Sequence, residues 1–232
     1  MKLSIIIPTL NEKENITALI PYLKSHSQQK AVEIIVVDAQ KSEDGTAERA
    51  TELGAKALIC KTCSRAAQMN LGAREALSPV LYFIHADVRP PKTYLQNIQQ
   101  AIATGADYGF FSYRFNSSKK LLQINAFFTR YDGLFAGGGD QTLFIKKTVF
   151  QKLSGFQEKM CIMEDFELTQ RAKQLGYQHK IVRKNALVSA RKYEQNSYLR
   201  VTLANLLAFV LFWLKRPPTT IRAVYKQLLN DY

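Results

Sequence analysis

The chain has 232 residues, 47% of them hydrophobic and 22% charged, which excludes a disordered or collagen-like chain and suits one α/β domain with a sizeable core. Lys and Arg outnumber Asp and Glu by 32 to 19, a formal charge of +13, so phosphate-rich partners are favoured: nucleotides, anionic lipids or nucleic acid. Over half of that excess falls between Arg183 and Tyr232, where Glu194 and Asp231 are the only acids.

In chain order, residues 3–7 form an apolar run that reads as a buried strand. Pro8-Thr9-Leu10-Asn11-Glu12 follows, with Pro8 expected to turn the chain out of the sheet and Thr9, Asn11 and Glu12 offering polar groups at a helix start. Residues 12–25 are predicted helical from the spacing of Ile16, Leu19, Ile20 and Leu23. Residues 33–37 read as a second strand, and Asp38 follows it, where a carboxylate can accept hydrogen bonds from a base or a ribose. Asp44-Gly45-Thr46 opens a helix over 46–53, a position that ordinary capping explains. Residues 55–59 read as a weaker third strand. Cys60 and Cys63 form a C-x-x-C without the second pair that a structural zinc needs, and three cysteines in all suit a reducing cytosol.

Ser64 is expected to cap a helix running to about residue 76, at whose positive end Arg65 can meet a phosphate; Asn70 lies off that face. Residues 80–84 read as a fourth strand with His85-Ala86-Asp87 at its carboxyl end, and Pro91 is expected to open a helix over 92–103. This β-α alternation predicts a parallel sheet with helices on both faces, and ligands of such sheets bind at the carboxyl ends of the strands. Asp87 there is a candidate ligand for Mg2+ or Mn2+, which would offset charge on a departing diphosphate. His85 reads as a second ligand, a diphosphate contact or a packed histidine.

The second half is less regular. Strands are predicted over 108–113, 141–145 and 186–189, with a helical aromatic stretch over 121–131. Ala136-Gly137-Gly138-Gly139-Asp140 reads as a loop that allows close backbone approach or acts as a lid. Glu164-Asp165 opens a helix over 164–175 ended by Gly176; the pair either stabilises the helix start or supplies a general base. Arg191 and Lys192 can close over a diphosphate, with Tyr193 packing on a base or sugar. Residues 201–214 are uncharged but fewer than the roughly 20 needed to cross a bilayer. A buried helix, an in-plane interfacial helix with basic flanks and an incomplete span remain open for them. Residues 219–232 read as a short amphipathic helix. No signal segment is read at the N-terminus, so a cytoplasmic location is expected, with peripheral contact at the inner face of the membrane through the C-terminal segment.

The order of these motifs resembles the family 2 glycosyltransferases. Ile5-Ile6-Ile7-Pro8-Thr9-Leu10-Asn11-Glu12, Ile35-Val36-Val37-Asp38 with Ser42, Asp44, Gly45 and Thr46, the pair Arg65 and Asn70, His85-Ala86-Asp87 and Glu164-Asp165 are similar to that family's successive blocks. Arg65-Ala66-Ala67-Gln68-Met69-Asn70, His85-Ala86-Asp87, Gly139-Asp140-Gln141 and Ser189-Ala190-Arg191 look closer to a bacterial subgroup associated with arsenosugar-type biosynthesis.

The resemblance implies a GT-A fold: a mixed, mostly parallel central sheet flanked by helices over residues 1–195, with a basic, apolar helical extension over 196–232. It implies inverting transfer from a nucleoside-diphosphate sugar, a UDP-sugar, to a hydroxyl acceptor. Asp165 would be the base with Glu164 supporting it, Asp38 would contact base or ribose, and Asp87 would hold Mg2+ or Mn2+. Pro8, Thr9, Asn11, Glu12, Arg65, Asn70, His85, Ala86 and Arg191 would serve the donor, and Gly139, Asp140 and Gln141 the sugar or acceptor side. Two positions depart from the pattern: His85 replaces the first Asp of an Asp-x-Asp, and the second block has one extra residue before Ser42. A polyprenyl-phosphate sugar synthase is the main alternative. A sugar nucleotidylyltransferase would need a glycine-rich N-terminal signature, and the chain has no aromatic-basic ladder for nucleic acid, so no nucleic-acid partner is expected.

Overall fold

The computed structural model describes residues 2–27, 31–62, 64–133 and 137–229. Cys63 and Ala136, named above, lie outside them, as do the last residues of the predicted 219–232 helix.

The first half alternates as the sequence predicts: β1 (Leu3–Thr9), α1 (Lys13–Ser25), β2 (Val32–Ala39), α2 (Thr46–Glu52), β3 (Lys56–Cys60), α3 (Arg65–Glu75), β4 (Val80–Phe83) and α4 (Tyr94–Ala103). The rest comprises β5 (Tyr108–Phe115), α5 (Lys120–Phe127), β6 (Leu143–Lys146), α6 (Lys147–Lys152), α7 (Glu164–Gln174), β7 (His179–Val188), α8 (Arg191–Gln195), α9 (Tyr198–Trp213) and α10 (Pro218–Leu228). Single 3-10 turns lie at Phe128–Arg130 and Gly139–Gln141.

Seven strands form one sheet in the order β3-β2-β1-β4-β6-β5-β7. β1 runs parallel to β2 and β4, and β2 to β3, while β6 is antiparallel to both neighbours. Every residue of β1 is buried, as expected of a strand covered on both faces. Its side chains alternate with the period of two: Leu3, Ile5 and Ile7 join a core with Ile16, Leu19, Ile20 and Leu23 of α1, while Ile6 joins one with Ala66, Met69 and Ala73 of α3. Each aliphatic side chain so buried contributes about 1.5–3 kcal/mol. On the second face α3 lies close to the sheet because residue 72 is Gly: a Cβ there would stand 2.5 Å from Ile6 Cγ2.

Several boundaries depart from the sequence reading. Pro8 stays inside β1, in register with Val37, rather than turning the chain out. β4 pairs with β1 only as far as Phe83 opposite Ile6, so at Pro8 the strand has a neighbour on one side alone. Pro91 does not begin α4; its carbonyl accepts from Tyr94 N in the turn before the helix. The last strand is ten residues long, because β7 pairs with β5 along its polar, half-exposed first part as well. Ser64 caps α3 as predicted, accepting from Ala67 N, and Gly176 follows α7 at φ +78°. Val201, Ala204 and Ala208 of α9 and Ile221 and Tyr225 of α10 join the same core as β1. No helix among the described residues is long and apolar enough to cross a membrane.

The order reverses at β1, which lies between β2 and β4. The crevice beyond the carboxyl ends of β1, β2 and β4 is therefore the topological switch point, where ligands of open α/β sheets bind.

Candidate active site

At that edge Thr9 and Asp38 are register partners, and Thr9 Oγ1 donates to Asp38 Oδ1 at 2.8 Å. Gln68 of α3 ties the two strand ends together, donating to Thr9 O at 2.7 Å and to Val37 O at 2.8 Å. Burial raises the Asp38 carboxyl, and the Thr9 hydrogen bond partly offsets this. Asn11, at φ +53°, accepts from Glu43 N and braces the loop after β2. Asp44 accepts from Lys13 N and Thr46 N, so it caps the starts of α1 and α2, as the plain capping reading has it. Glu12 accepts from Asn15, and its carboxyl is raised by burial and by the charge of Asp87 among others.

β4 delivers His85, and a tight turn with Val88 N donating to His85 O packs Ala86 into the core and carries Asp87 outward. Asp87 is open to solvent at the crevice mouth but crowded by protein; desolvation, then the charge of Asp140, raises its carboxyl. Arg191 and Lys192 only partly offset this crowding of oxygen acids, which suits a hard dication. Among the described residues no three His, Cys, Asp or Glu side chains gather to hold a metal alone, so a cation here would also need oxygens from a bound diphosphate. His85, the other ligand candidate, has cations as neighbours. Arg65 Nη1 lies 3.5 Å from its Nε2, and burial, then the charges of Arg65 and Lys192, lower its pKa to about 3. A lowered pKa keeps the ring in the neutral form that can ligate, while the charges of Arg65 and Lys192 oppose a further cation beside it.

Met163 adopts φ +65° and turns the chain into α7, so Glu164 and Asp165 open that helix. The two neighbours part company there. Glu164 is buried and its Oε1 accepts from Arg65 Nε; its Oε2 has no hydrogen-bond partner among the described residues. Asp165 instead lines a cavity of about 410 Å³ whose walls include Ile162, Phe166, Leu206 and Phe209. Burial first, and then the charge of Glu164, pushes the Asp165 carboxyl up to about 7. A second, more polar cavity of about 280 Å³ holds Asp87, Arg191 and Lys192. The two cavities share wall residues, Arg65, His85, Asp140 and Lys192 among them, so they adjoin.

Asp87, Asp140, Asp165, Arg65, His85 and Arg191 thus converge. Thr9 and Asp38 share the strand edge but line neither cavity. Asn70 points elsewhere: its amide donates to Phe156 O and Glu158 and accepts from Phe156 N, bracing the segment before α7. Gln141 lines the larger cavity, but its amide is used within the loop, accepting from Gly137 N and donating to Thr129 O. Gly139 starts the 3-10 turn that carries Asp140. The sequence reading missed Tyr113, Asn125 of α5, and Asn205 and Phe209 of α9 as cavity walls. Lys192 Nζ donates to Tyr225 of α10, whose hydroxyl donates to Asn205, which anchors the last helix over the site.

A family model described as glycosyl transferase family 2 matches residues 4–162. A dolichol-phosphate mannosyltransferase from Pyrococcus furiosus is 35% identical over 113 residues, 46% of this chain and 32% of its own length, so the match spans about a third of that relative. Among solved structures, a mannosyltransferase from Pyrobaculum calidifontis in complex with GDP-Man and Mn2+ superimposes with a TM-score of 0.71 at 16% identity, over 98% of this chain and 69% of its own. S. aureus TarS 1-349 in complex with UDP-GlcNAc gives 0.68 at 14% identity, over 98% and 71%. At such identities these two structures establish the shared fold: an α/β architecture of GT-A type with C-terminal helices.

Proposed function

The chain belongs to glycosyl transferase family 2, and on that premise we propose that it transfers a sugar, with inversion, from a nucleoside-diphosphate sugar to a hydroxyl acceptor, Asp165 acting as the base. One observation carries this reading: Asp165, pushed up to about 7, lines an apolar-walled cavity adjoining a polar one rich in cations. The donor's nucleoside lies over Thr9 and Asp38, with UDP-sugars the first candidates. Its diphosphate faces Arg191 and Lys192. A Mg2+ or Mn2+ ion held by Asp87 would supply positive charge for the leaving diphosphate.

As the acceptor oxygen bonds to the sugar's anomeric carbon, the bond from that carbon to the diphosphate oxygen breaks and Asp165 takes the hydroxyl proton. A base near neutrality in a desolvated pocket is worth about 10²–10⁴-fold. Glu164 supports the site from below, through Arg65. Asp140 faces both cavities and positions the sugar between them. A polyprenyl-phosphate acceptor is the second reading, favoured by the apolar walls that α9 lends to the acceptor side and by likeness to a dolichol-phosphate mannosyltransferase. The motifs around Arg65, Gly139 and Ser189 support the arsenosugar-associated subgroup.

The test is release of nucleoside diphosphate from a panel of nucleotide sugars, with water or added alcohols and lipid phosphates as acceptors. Asp165→Asn is expected to keep donor binding and lose release; normal turnover by this variant would remove Asp165 from the role.

A further inference from the structure

Two helices that wall the cavity holding Asp165 turn apolar faces to solvent. On α9, Leu199, Leu203, Leu206, Val210 and Trp213 recur at alternating intervals of four and three, forming one stripe that is 44–77% exposed. On α5 and the turn after it, Leu121, Ile124, Phe127, Phe128 and Tyr131 are exposed as well. Asn125 of α5 and Leu206 of α9 both line the cavity, so the two faces flank its walls. Large aromatic and aliphatic side chains left in water at this spacing are an interaction surface, not an unfinished core.

The charge around them selects the occupant. Residues 113–131 carry Arg114, Lys119, Lys120 and Arg130 and no acid. Residues 195–229 carry Arg200, Lys215, Arg216, Arg222 and Lys226 and no acid. A second copy of this chain would bring like charges together. An anionic lipid surface meets both properties, taking apolar side chains below its headgroups and cations among them.

We propose that α5 with its following turn, and α9, form a two-part docking face for an anionic bilayer, which seats the cavity mouth on the membrane so that its acceptor is drawn from the lipid phase. The acceptor clause rests on the glycosyltransferase reading; the docking does not. Apolar contact holds the protein in the interface plane, and the cations select phosphate-bearing headgroups and make the attachment weaken with salt.

Flotation of the full chain with phosphatidylglycerol/phosphatidylcholine vesicles, against pure phosphatidylcholine, tests it. Cofloating with the anionic vesicles is expected, falling as salt rises. Leu203→Glu with Val210→Glu on α9, and separately Phe128→Glu in the turn after α5, should each lower the vesicle-bound fraction at least about tenfold. Both sets of sites are exposed, so melting temperature should hold. Asp165→Asn should float as the parent does, which separates failure of docking from failure of the catalytic reading. Absence of flotation by the parent overturns the proposal. So does undiminished binding by all the variants, or a dimer in solution that the α9 variant splits into monomers.

Discussion

Arg65 Nε donates to Glu164 Oε1 across 99 positions of sequence, joining the start of α3 to the start of α7. The pairing holds one of two adjacent acids away from the cavity and leaves the other, Asp165, facing it. Because the Glu164 charge raises the Asp165 carboxyl, Glu164 tunes the proposed base from outside the cavity. Glu164→Gln should therefore lower the Asp165 pKa. Sugar release should rise through about pH 7 in the parent, and its acid limb should move to lower pH in the variant. An unmoved limb in a pH–rate profile would uncouple the pair.

Stability should show the opposite pH trend. Asp165 has an ordinary value of 3.8 and is raised to about 7 by burial and Glu164, so between those values the folded chain keeps a proton that the unfolded chain has lost. This group's contribution is greatest at low pH and declines as pH rises toward 7. Asp165→Asn removes that cost, so at pH 8 the variant should melt higher than the parent while losing about 10²–10⁴-fold in sugar release. Thermal melts of both at pH 5 and 8 read the difference, and a variant that melts lower at pH 8 would contradict it.

Asp87 is exposed at the crevice mouth in the field of Asp140, and no third ligand joins it among the described residues. Asp87→Ala should leave the melting temperature of the free protein close to the parent's. It should remove the extra stabilisation that Mn2+ gives in the presence of UDP or GDP, measured as a thermal shift. An equal Mn2+-dependent shift in parent and variant would move the metal elsewhere.

Asn70 spends its amide on Phe156 and Glu158, so it should act through stability alone. Asn70→Ala leaves buried backbone groups unpaired, at a cost of about 1–3 kcal/mol in denaturant unfolding, with nucleotide affinity unchanged once folded. Selective loss of affinity without loss of stability would restore its place at the donor.

At Gly72 an added methyl would meet Ile6 Cγ2 at 2.5 Å and Val37 Cγ2 at 3.0 Å. Gly72→Ala should push α3 off the sheet and cost about 1–3 kcal/mol. The displacement would also shift Arg65, which α3 carries, so unfolding midpoint and sugar release should fall together.

Much of the first half was legible because its physics is local. Continuous apolar runs mark strands covered on both faces, Ile16 to Leu23 keep the helical period, and Ser64 caps where a Ser should. Of the three acids that the motif order assigns to one crevice, Asp87 and Asp165 line adjoining cavities, while Asp38 stays at the strand edge and lines neither. What stayed hidden depends on partners that sequence does not name. β7 begins with exposed polar residues, so its pairing with β5 leaves little apolar signal. β6 lies antiparallel between β4 and β5, a choice made by the whole sheet. Asn70 and Gln141 look like ligand contacts by residue type, but which carbonyls an amide meets is settled only on folding. The roles of α5 and α9 as cavity walls come from tertiary packing, as does the pairing of Arg65 with Glu164 that divides the acid pair.

Calorimetric titration of UDP and GDP into the parent protein and into Asp38→Ala and Asp87→Ala, with and without Mn2+, tests the central claim most directly. At least one diphosphate should bind the parent saturably and more tightly with Mn2+, and each variant should bind it at least about tenfold more weakly. Failure of both nucleotides to bind the parent, or parental affinity in both variants, would contradict a nucleotide-sugar site at this sheet edge.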